Sequence, residues 1–352
     1  MILSLKLTNV RSFPNIKFDF DRSVNLLVGP NGAGKTTVLE SVALFGFGRL
    51  LSVPTDSLAI REGEEVGRLE AVFNRDERKE KIAVAITKKE KIVKIENQKI
   101  SNSALIGHER AVLFNPETVG LVGGSPDVRR REIDMTVAQT DRKYVETLLT
   151  LKSVLRQRNG LLKLIALGRA DLAALDFWDE KLIEQTAEVV AKRQGFLSSI
   201  AQGLGETHAA LGADKDGLKI VYKPSTDYDR FAEALVACRE SDLKSGTTTL
   251  GPHRDDFAFV RDSFVLKDHA SRGEERLAAL ALKIEEAKFL TVDNEPPILI
   301  LDDVFSELDL ARRGRLAKNL PDGQIIISAT DNEVVPEILR QKEKLILLEK
   351  NE

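Results

Sequence analysis

The residues best suited to chemistry lie at 29–36 and read Gly29-Pro30-Asn31-Gly32-Ala33-Gly34-Lys35-Thr36. They fit G-x-x-x-x-G-K-[ST], the phosphate-binding loop. Gly29, Gly32 and Gly34 let the backbone take dihedrals closed to other residues and approach phosphate oxygens without a Cβ. Successive N–H groups can then form an anion cradle. Lys35 adds a flexible charge for β/γ-phosphates, and the Thr36 hydroxyl can hold Mg2+. Such a loop needs a carboxylate partner, and Leu299-Ile300-Leu301-Asp302-Asp303 supplies one. Asp302 is expected to serve the metal, directly or through water, and Asp303 to polarise an attacking water. A third stretch, Ser271-Arg272-Gly273-Glu274-Glu275, precedes a helix. A serine and a glycine there make either another anion site or an ordinary capped helix start.

These residues need particular elements around them. Val24–Val28 is a short apolar run, as a buried strand should be, and residues 37–44 continue as a helix whose positive N-terminus faces the loop. Residues 297–301 and 324–328 are apolar runs of the kind buried on both faces of a parallel sheet, which places Asp302 at a strand's C-terminal end. Residues 2–7, 16–20 and 343–348 read as further strands. Residues 66–100 look like an antiparallel meander, with turns at Asn74-Arg75-Asp76-Glu77 and Lys88-Lys89-Glu90-Lys91. Residues 111–114, 257–260 and 263–266 are short strands, and 272–290 a helix. Arg11 sits in a turn; local chemistry favours a solvated residue over a phosphate contact.

Between these parts the character changes. After Gly123-Gly124-Ser125-Pro126-Asp127, where Ser125 or Asp127 can cap, apolar residues from Ile133 to Ile165 recur at three-, four- and seven-residue spacings, which predicts one long helix. Gly168 breaks it, and a second helix runs from about 171 to 211, giving an antiparallel helical hairpin. Residues 127–163 carry an excess of four positive charges, Arg129, Arg130, Lys152 and Arg156 among them. Such a face fits duplex DNA phosphates or plain solvent.

The chain has 352 residues, 42% hydrophobic and 30% charged, with a net charge of −3. That composition is globular and allows two domains, and it carries no overall basic signal for nucleic acid. Cys238 is the single cysteine, so no intramolecular disulfide forms. No apolar run reaches the roughly 18 residues that span a bilayer, and residues 1–7 lack a signal-peptide core. The expected location is cytoplasmic, with no membrane partner.

The order of phosphate loop, insertion, Ser-x-Gly helix, carboxylate strand and Ser306-Glu307-Leu308-Asp309 is that of an ABC-type ATPase head. Three further stretches are more specific: Pro116 to Asp134 with Leu121-Val122-Gly123-Gly124-Ser125-Pro126-Asp127-Val128-Arg129-Arg130-Arg131, Gln157-Arg158-Asn159 with Leu161-Leu162-Lys163, and Gly251-Pro252-His253-Arg254-Asp255-Asp256. Over nearly its whole length the chain resembles the RecF family, bacterial recombination mediators of the SMC-like branch of ABC ATPases.

That resemblance implies an α/β fold: a P-loop head with a mixed sheet and antiparallel meander, from residues 1–110 and 245–352. The mostly helical arm would be residues 111–244. It implies an ATP-dependent homodimer with two shared sites. One chain would contribute Arg11, Gly29, Pro30, Asn31, Gly32, Ala33, Gly34, Lys35, Thr36 and Thr37, with Thr36 and Asp302 on Mg2+ and Lys35 and Asp303 as catalytic residues. The other would present Ser271 and Gly273 to the γ-phosphate. It further implies weak, DNA-stimulated ATP hydrolysis and binding to duplex and gapped DNA. Roles in DNA repair, replication and the SOS response would follow, with RecR and RecO as partners and, indirectly, RecA and single-strand-binding protein.

Some positions depart from the family pattern. Glu274 stands where glutamine is usual and Glu132-Ile133 where an aromatic-aliphatic pair is usual. Ser328-Ala329-Thr330 lacks the switch histidine of many ABC ATPases. Asn115 and Gln139 both fit the glutamine-loop role, and His253 is either catalytic or a structural turn histidine. Two other readings are an SMC-like head that binds protein partners without a loading role, and a transporter-type energising subunit, which would lack the arm and the 251–256 motif.

Overall fold

Alternating apolar residues start the chain as two antiparallel strands, β1 (Ile2–Val10) and β2 (Phe13–Asp19), before β3 (Val24–Val28) leads into helix α1 (Lys35–Phe47). The computed structural model describes residues 1–75, 78–213, 217–262, 264–341 and 343–349. The 66–100 meander is present as β4 (Val66–Arg75), β5 (Arg78–Thr87) and β6 (Lys91–Ile95), with a fourth strand β7 (Gln98–Ile100). With β1 and β2 they form one antiparallel sheet in the order β2-β1-β4-β5-β6-β7. Of the turn expected at 74–77, Asn74 and Arg75 belong to β4, and Asp76 and Glu77 lie outside the described residues. Strand β8 (Ala111–Phe114) then enters a second sheet.

The chain divides into two compact units, Met1–Thr118 with Glu206–Asp216 and Arg276–Glu352, and Val119–Gly205 with Gly217–Glu275. This differs from the split at 110 and 245 for a reason of strand pairing. β8 hydrogen-bonds a strand near residue 300, and the strands after 255 pair within the second unit.

In the second unit the stripe from 133 to 165 is two helices rather than one, α3 (Pro126–Ala138) and α4 (Arg142–Ala166), after the short α2 (Gly120–Gly123). Asp141 causes the break: its carboxylate accepts from the Tyr144 N–H at 3.0 Å, so a cap stands where the helix would have continued. Helix α5 (Leu175–Ala210) returns antiparallel, with Arg158 paired to Asp179 and Lys192 to Asp141. Beyond it β9 (Lys219–Lys223), a strand the pattern did not reveal, and helix α6 (Phe231–Ser245) precede β10 (Asp256–Arg261) and β11 (Phe264–Val265), in a sheet ordered β11-β10-β9. Ser263 lies outside the described residues, and Leu266 opens the short α7 (Leu266–His269) instead of extending a strand.

Helix α8 (Arg272–Phe289) leads back to the first unit and to β12 (Ile298–Asp302), α9 (Leu310–Asn319), β13 (Ile325–Ala329), α10 (Glu337–Arg340) and β14 (Glu343–Leu347). These strands join β3 and β8 in an all-parallel sheet, order β14-β3-β13-β12-β8. Every residue of β8, β12 and β13 is buried, as their unbroken apolar sequences demand. Among the described residues, no helix is long and apolar enough to cross a membrane.

Candidate functional site

The loop 29–34 joins the C-terminal end of β3 to the N-terminus of α1. Gly32 and Gly34 have φ of 84° and 92°, the left-handed region, so glycine is required for the turn. A Cβ on Gly34 would also overlap the Phe13 ring. Lys35 folds over the loop, its Nζ donating to the carbonyls of Gly29 at 2.6 Å and Pro30 at 3.1 Å, and is almost fully buried. Thr36 is exposed at the first turn of α1, and Thr37 is buried behind it.

β13 lies between β3 and β12, so Asp302 stands at the same C-terminal sheet edge as the loop. The Ser328 hydroxyl of β13 donates to Asp302 Oδ1 at 2.6 Å and accepts from the Asp303 N–H at 3.0 Å. One serine thus holds the two acids apart in role. Asp302 is aligned by it, and Asp303 turns out of the strand at a φ of 54°. Among the described residues, Asp303 Oδ1 is buried without a hydrogen-bond partner, a costly state that a bound water or ion would relieve. Among the described residues, no group of three His, Cys, Asp or Glu side chains could hold a metal alone. One aligned carboxylate, with the Thr36 hydroxyl exposed at the same sheet edge, fits Mg2+, which takes few protein ligands and shares the rest with phosphates and water. Asn115 follows β8 directly, and the pairing of Phe114 with Leu301 sets it beside Asp302; Gln139 is buried in the other unit.

Arg11 is no solvated turn residue. Its backbone is left-handed (φ 47°), and its guanidinium reaches α1, with Nη2 donating to Glu40 Oε2 at 2.7 Å and to the Ser52 hydroxyl. Nη1 lies 3.4 Å from Thr37 Oγ1. Buried Glu40 also accepts from Ser52 N at 2.8 Å and Ser52 Oγ at 2.6 Å. Neither Glu40 nor Ser328 was singled out from sequence. Glu40 leaves one signal, a lone carboxylate in an otherwise apolar helix; Ser328 leaves none.

Ser271 and Gly273 start α8 in the second unit, with Ser271 exposed. Glu274 closes a capping box there. Its Oε2 accepts from both the N–H and the hydroxyl of Ser271 at 2.9 Å, and Oε1 accepts from Arg261 at 2.9 Å. The Ser271 N–H first, and Arg261 with it, pull the Glu274 carboxyl down to a pKa of about 2.

The basic residues sort into two groups. Arg129 is a correction to the expected DNA face: it is buried, pairs with Asp256 at 2.8 and 3.0 Å, and donates to the carbonyls of Val122 and Gly124. Arg130 is likewise engaged, with the Asp255 carbonyl and Asp127. Arg158 is fully buried between Asp179 and Asp242. Lys152 and Arg156 remain exposed on α4. His253 is structural: Nε2 lies 3.0 Å from the Thr248 carbonyl, and burial lowers its pKa.

The model of the RecF/RecN/SMC N-terminal domain matches residues 1–351. The DNA replication and repair protein RecF of Agathobacter rectalis is 34% identical over 333 residues, 94% of this chain and 92% of that one. RecF of Geobacillus thermodenitrificans is 33% identical over 330 residues, covering 90% of this chain and 88% of that protein. The solved structure of the recombination mediator protein RecF with ATP, from the RecFOR pathway, superposes with a TM-score of 0.89 at 28% identity, over 95% of this chain and 93% of that one. An SMC head bound to the C-terminal winged-helix domain of ScpA shares the fold at a TM-score of 0.57 and 16% identity, over 98% of this chain and 93% of that one. The fold is an ABC-type ATPase head of the SMC kind, and the chain belongs to the RecF family.

Proposed function

We propose that this chain is an ATP-switched DNA clamp acting in DNA replication and recombinational repair. The observation that carries this is the arrangement at the edge of the parallel sheet: a left-handed glycine loop, a lysine held on that loop's own carbonyls, and two acids divided by Ser328. Lys35 exchanges Gly29 O and Pro30 O for β/γ-phosphate oxygens. Arg11, anchored by Glu40, adds positive charge at the first turn of α1. Thr36 and Asp302 would hold Mg2+, which neutralises phosphate charge when bound. Asp303 orients the attacking water and accepts its proton, a role suited to its unpartnered oxygen. No histidine follows β13, so hydrolysis cannot rely on a switch histidine there and falls to Asp303 with Lys35.

Ser271 is exposed and Gly273 half-buried at a helix start, where N–H groups favour anions. We assign them to the γ-phosphate of a second copy, so that ATP joins two heads and hydrolysis parts them. The closed dimer takes duplex and gapped DNA, with Lys152 and Arg156 as its phosphate contacts, and RecO and RecR as partners in loading RecA in place of single-strand-binding protein. A second reading, an SMC-like head that docks protein rather than DNA, is favoured by one observation: two of the four expected DNA contacts, Arg129 and Arg130, are spent internally.

Sedimentation with and without ATP and Mg2+, alongside gel shifts on duplex, single-stranded and gapped DNA, decides between them. The clamp predicts ATP-dependent dimers that bind duplex, and monomers that still bind ATP after Ser271→Arg. Dimers that ignore DNA leave the protein-docking head; normal dimers in Ser271→Arg refute the shared site.

A further inference from the structure

At the opposite end of β3, β12 and β13 from the glycine loop, the lead-ins to four parallel strands meet the end of β4 around a cavity of about 430 Å3. The volume is that of a small-molecule site and far exceeds a single oxyanion. Its walls are built rather than loose. The buried Gln324 amide donates to the carbonyls of Ile2 and Asp21 at 2.8 and 2.7 Å, and its oxygen accepts from Ile2 N at 2.8 Å. Gly323, at a φ of 141°, lets the chain close against Pro296.

Three arginines from three separate elements converge on this cavity: Arg22, Arg75 and Arg110. Among the described residues that line it, the three guanidinium groups face two carboxylates, those of Glu109 and Glu295. Arg22 is exposed and, among the described residues, has no hydrogen-bond or ion-pair partner. Among the described residues, Arg75 donates to the His108 carbonyl at 3.4 Å and its charge acts on Glu109, and Arg110 donates to the Glu295 carbonyl at 3.2 Å and meets its carboxylate at 3.4 Å. The remaining carboxylate, Glu109, lies 3.5 Å from the Met1 amine, and burial raises its pKa. The His108 ring is turned to Glu80, with Nε2 at 2.6 Å.

We propose that this cavity binds a phosphomonoester or pyrophosphate group, with the body of the ligand in the remaining volume. Guanidinium forks match such oxygens two at a time, and three of them can share a group that carries more than one negative charge. A free nucleotide and the 5′-phosphate end of a DNA strand both carry that group.

Isothermal titration tests this on the full chain carrying Lys35→Ala, which weakens competition from the glycine loop. The probes are inorganic pyrophosphate, thymidine 5′-monophosphate, thymidine, and one short oligonucleotide with and without a 5′-phosphate. One equivalent of a phosphorylated probe binds, and adding Arg22→Glu, a change at an exposed side chain that spares the fold, weakens it at least about tenfold, as does Arg110→Gln. Binding by thymidine 5′-monophosphate alone identifies a free-nucleotide site; a preference for the 5′-phosphorylated oligonucleotide identifies a strand-end site. No binding at millimolar probe, thymidine binding as well as its monophosphate, or indifference to both arginine substitutions overturns the proposal.

Discussion

Replacing Glu40 by alanine removes the acceptor of three hydrogen bonds at 2.6–2.8 Å, from Ser52 N, Ser52 Oγ and Arg11 Nη2. Arg11 keeps only the 3.4 Å approach to Thr37 Oγ1 and its Ser52 contact, and the left-handed turn at residues 9–11 loses its tie to α1. Hydrogen bonds to charged groups contribute about 1.5–3 kcal/mol each, but they share one acceptor, and Arg11 is 26% exposed and keeps some water. The expected cost is therefore roughly 3 kcal/mol for Glu40→Ala, and roughly 1 kcal/mol for Glu40→Gln, which still accepts one bond. On a unit of this size the alanine variant should melt roughly 6–12 °C lower. If Arg11 serves the nucleotide, the variant also raises the ATP KM about tenfold while turnover at saturation changes little. A cycle with Arg11→Ala should show coupling of about 1–2 kcal/mol. Unchanged melting, or additivity of the two changes in both stability and KM, would refute the idea that Glu40 acts through Arg11.

The other predictions concern the same sites. Lys35→Arg keeps the charge but not the reach, so single-turnover hydrolysis should fall at least about tenfold while ATP binding weakens less; equal losses in both would count against a γ-phosphate contact. Arg129→Ala removes a buried guanidinium with its bonds to Asp256 and to the Val122 and Gly124 carbonyls and, because the Asp256 side chain is 30% exposed, should destabilise the second unit by roughly 2–3 kcal/mol in chemical denaturation. The double change Lys152→Ala with Arg156→Ala should leave stability intact and lower the salt slope of duplex binding by about 2; the reverse pattern would reinstate Arg129 as a DNA contact. Glu274 has a folded pKa below its ordinary value, so its contribution to the start of α8 is complete above about pH 4.5 and is lost as pH falls towards about 2. Amide exchange at Ser271 should accelerate across that window relative to Glu274→Gln; identical profiles would show that the capping box is not formed in solution.

The glycine loop was legible because its requirements are local: strand, left-handed turn and helix all lie within 24 residues of sequence. The Asp302 strand was legible because a run buried on both faces admits only apolar residues. What failed was long-range or depended on pairing. Arg129 and Arg130 read as surface charges because nothing near them announces Asp255 and Asp256, more than 120 residues away. Arg158 sits in the buried stripe of α4 where spacing alone calls for an aliphatic residue, neutralised by two acids from other helices. The break at residues 139–141 was hidden because apolar spacing continues across it, while the Asp141 cap that causes it has a short-range hydrogen bond but no pattern. Strand β9 alternates only over five residues and gains its place from β10.

The pairing of β3 bears on how the protein is made. Both its neighbours, β13 and β14, come from the last 30 residues of the chain. About 300 residues must follow β3 out of the ribosome before it has a partner, roughly 15–60 s at ordinary synthesis rates. All of the second unit emerges within that interval. An apolar strand waiting that long with both edges open is a substrate for chaperones and a hazard for aggregation, so truncation before residue 325 should yield an insoluble fragment even though the glycine loop is complete.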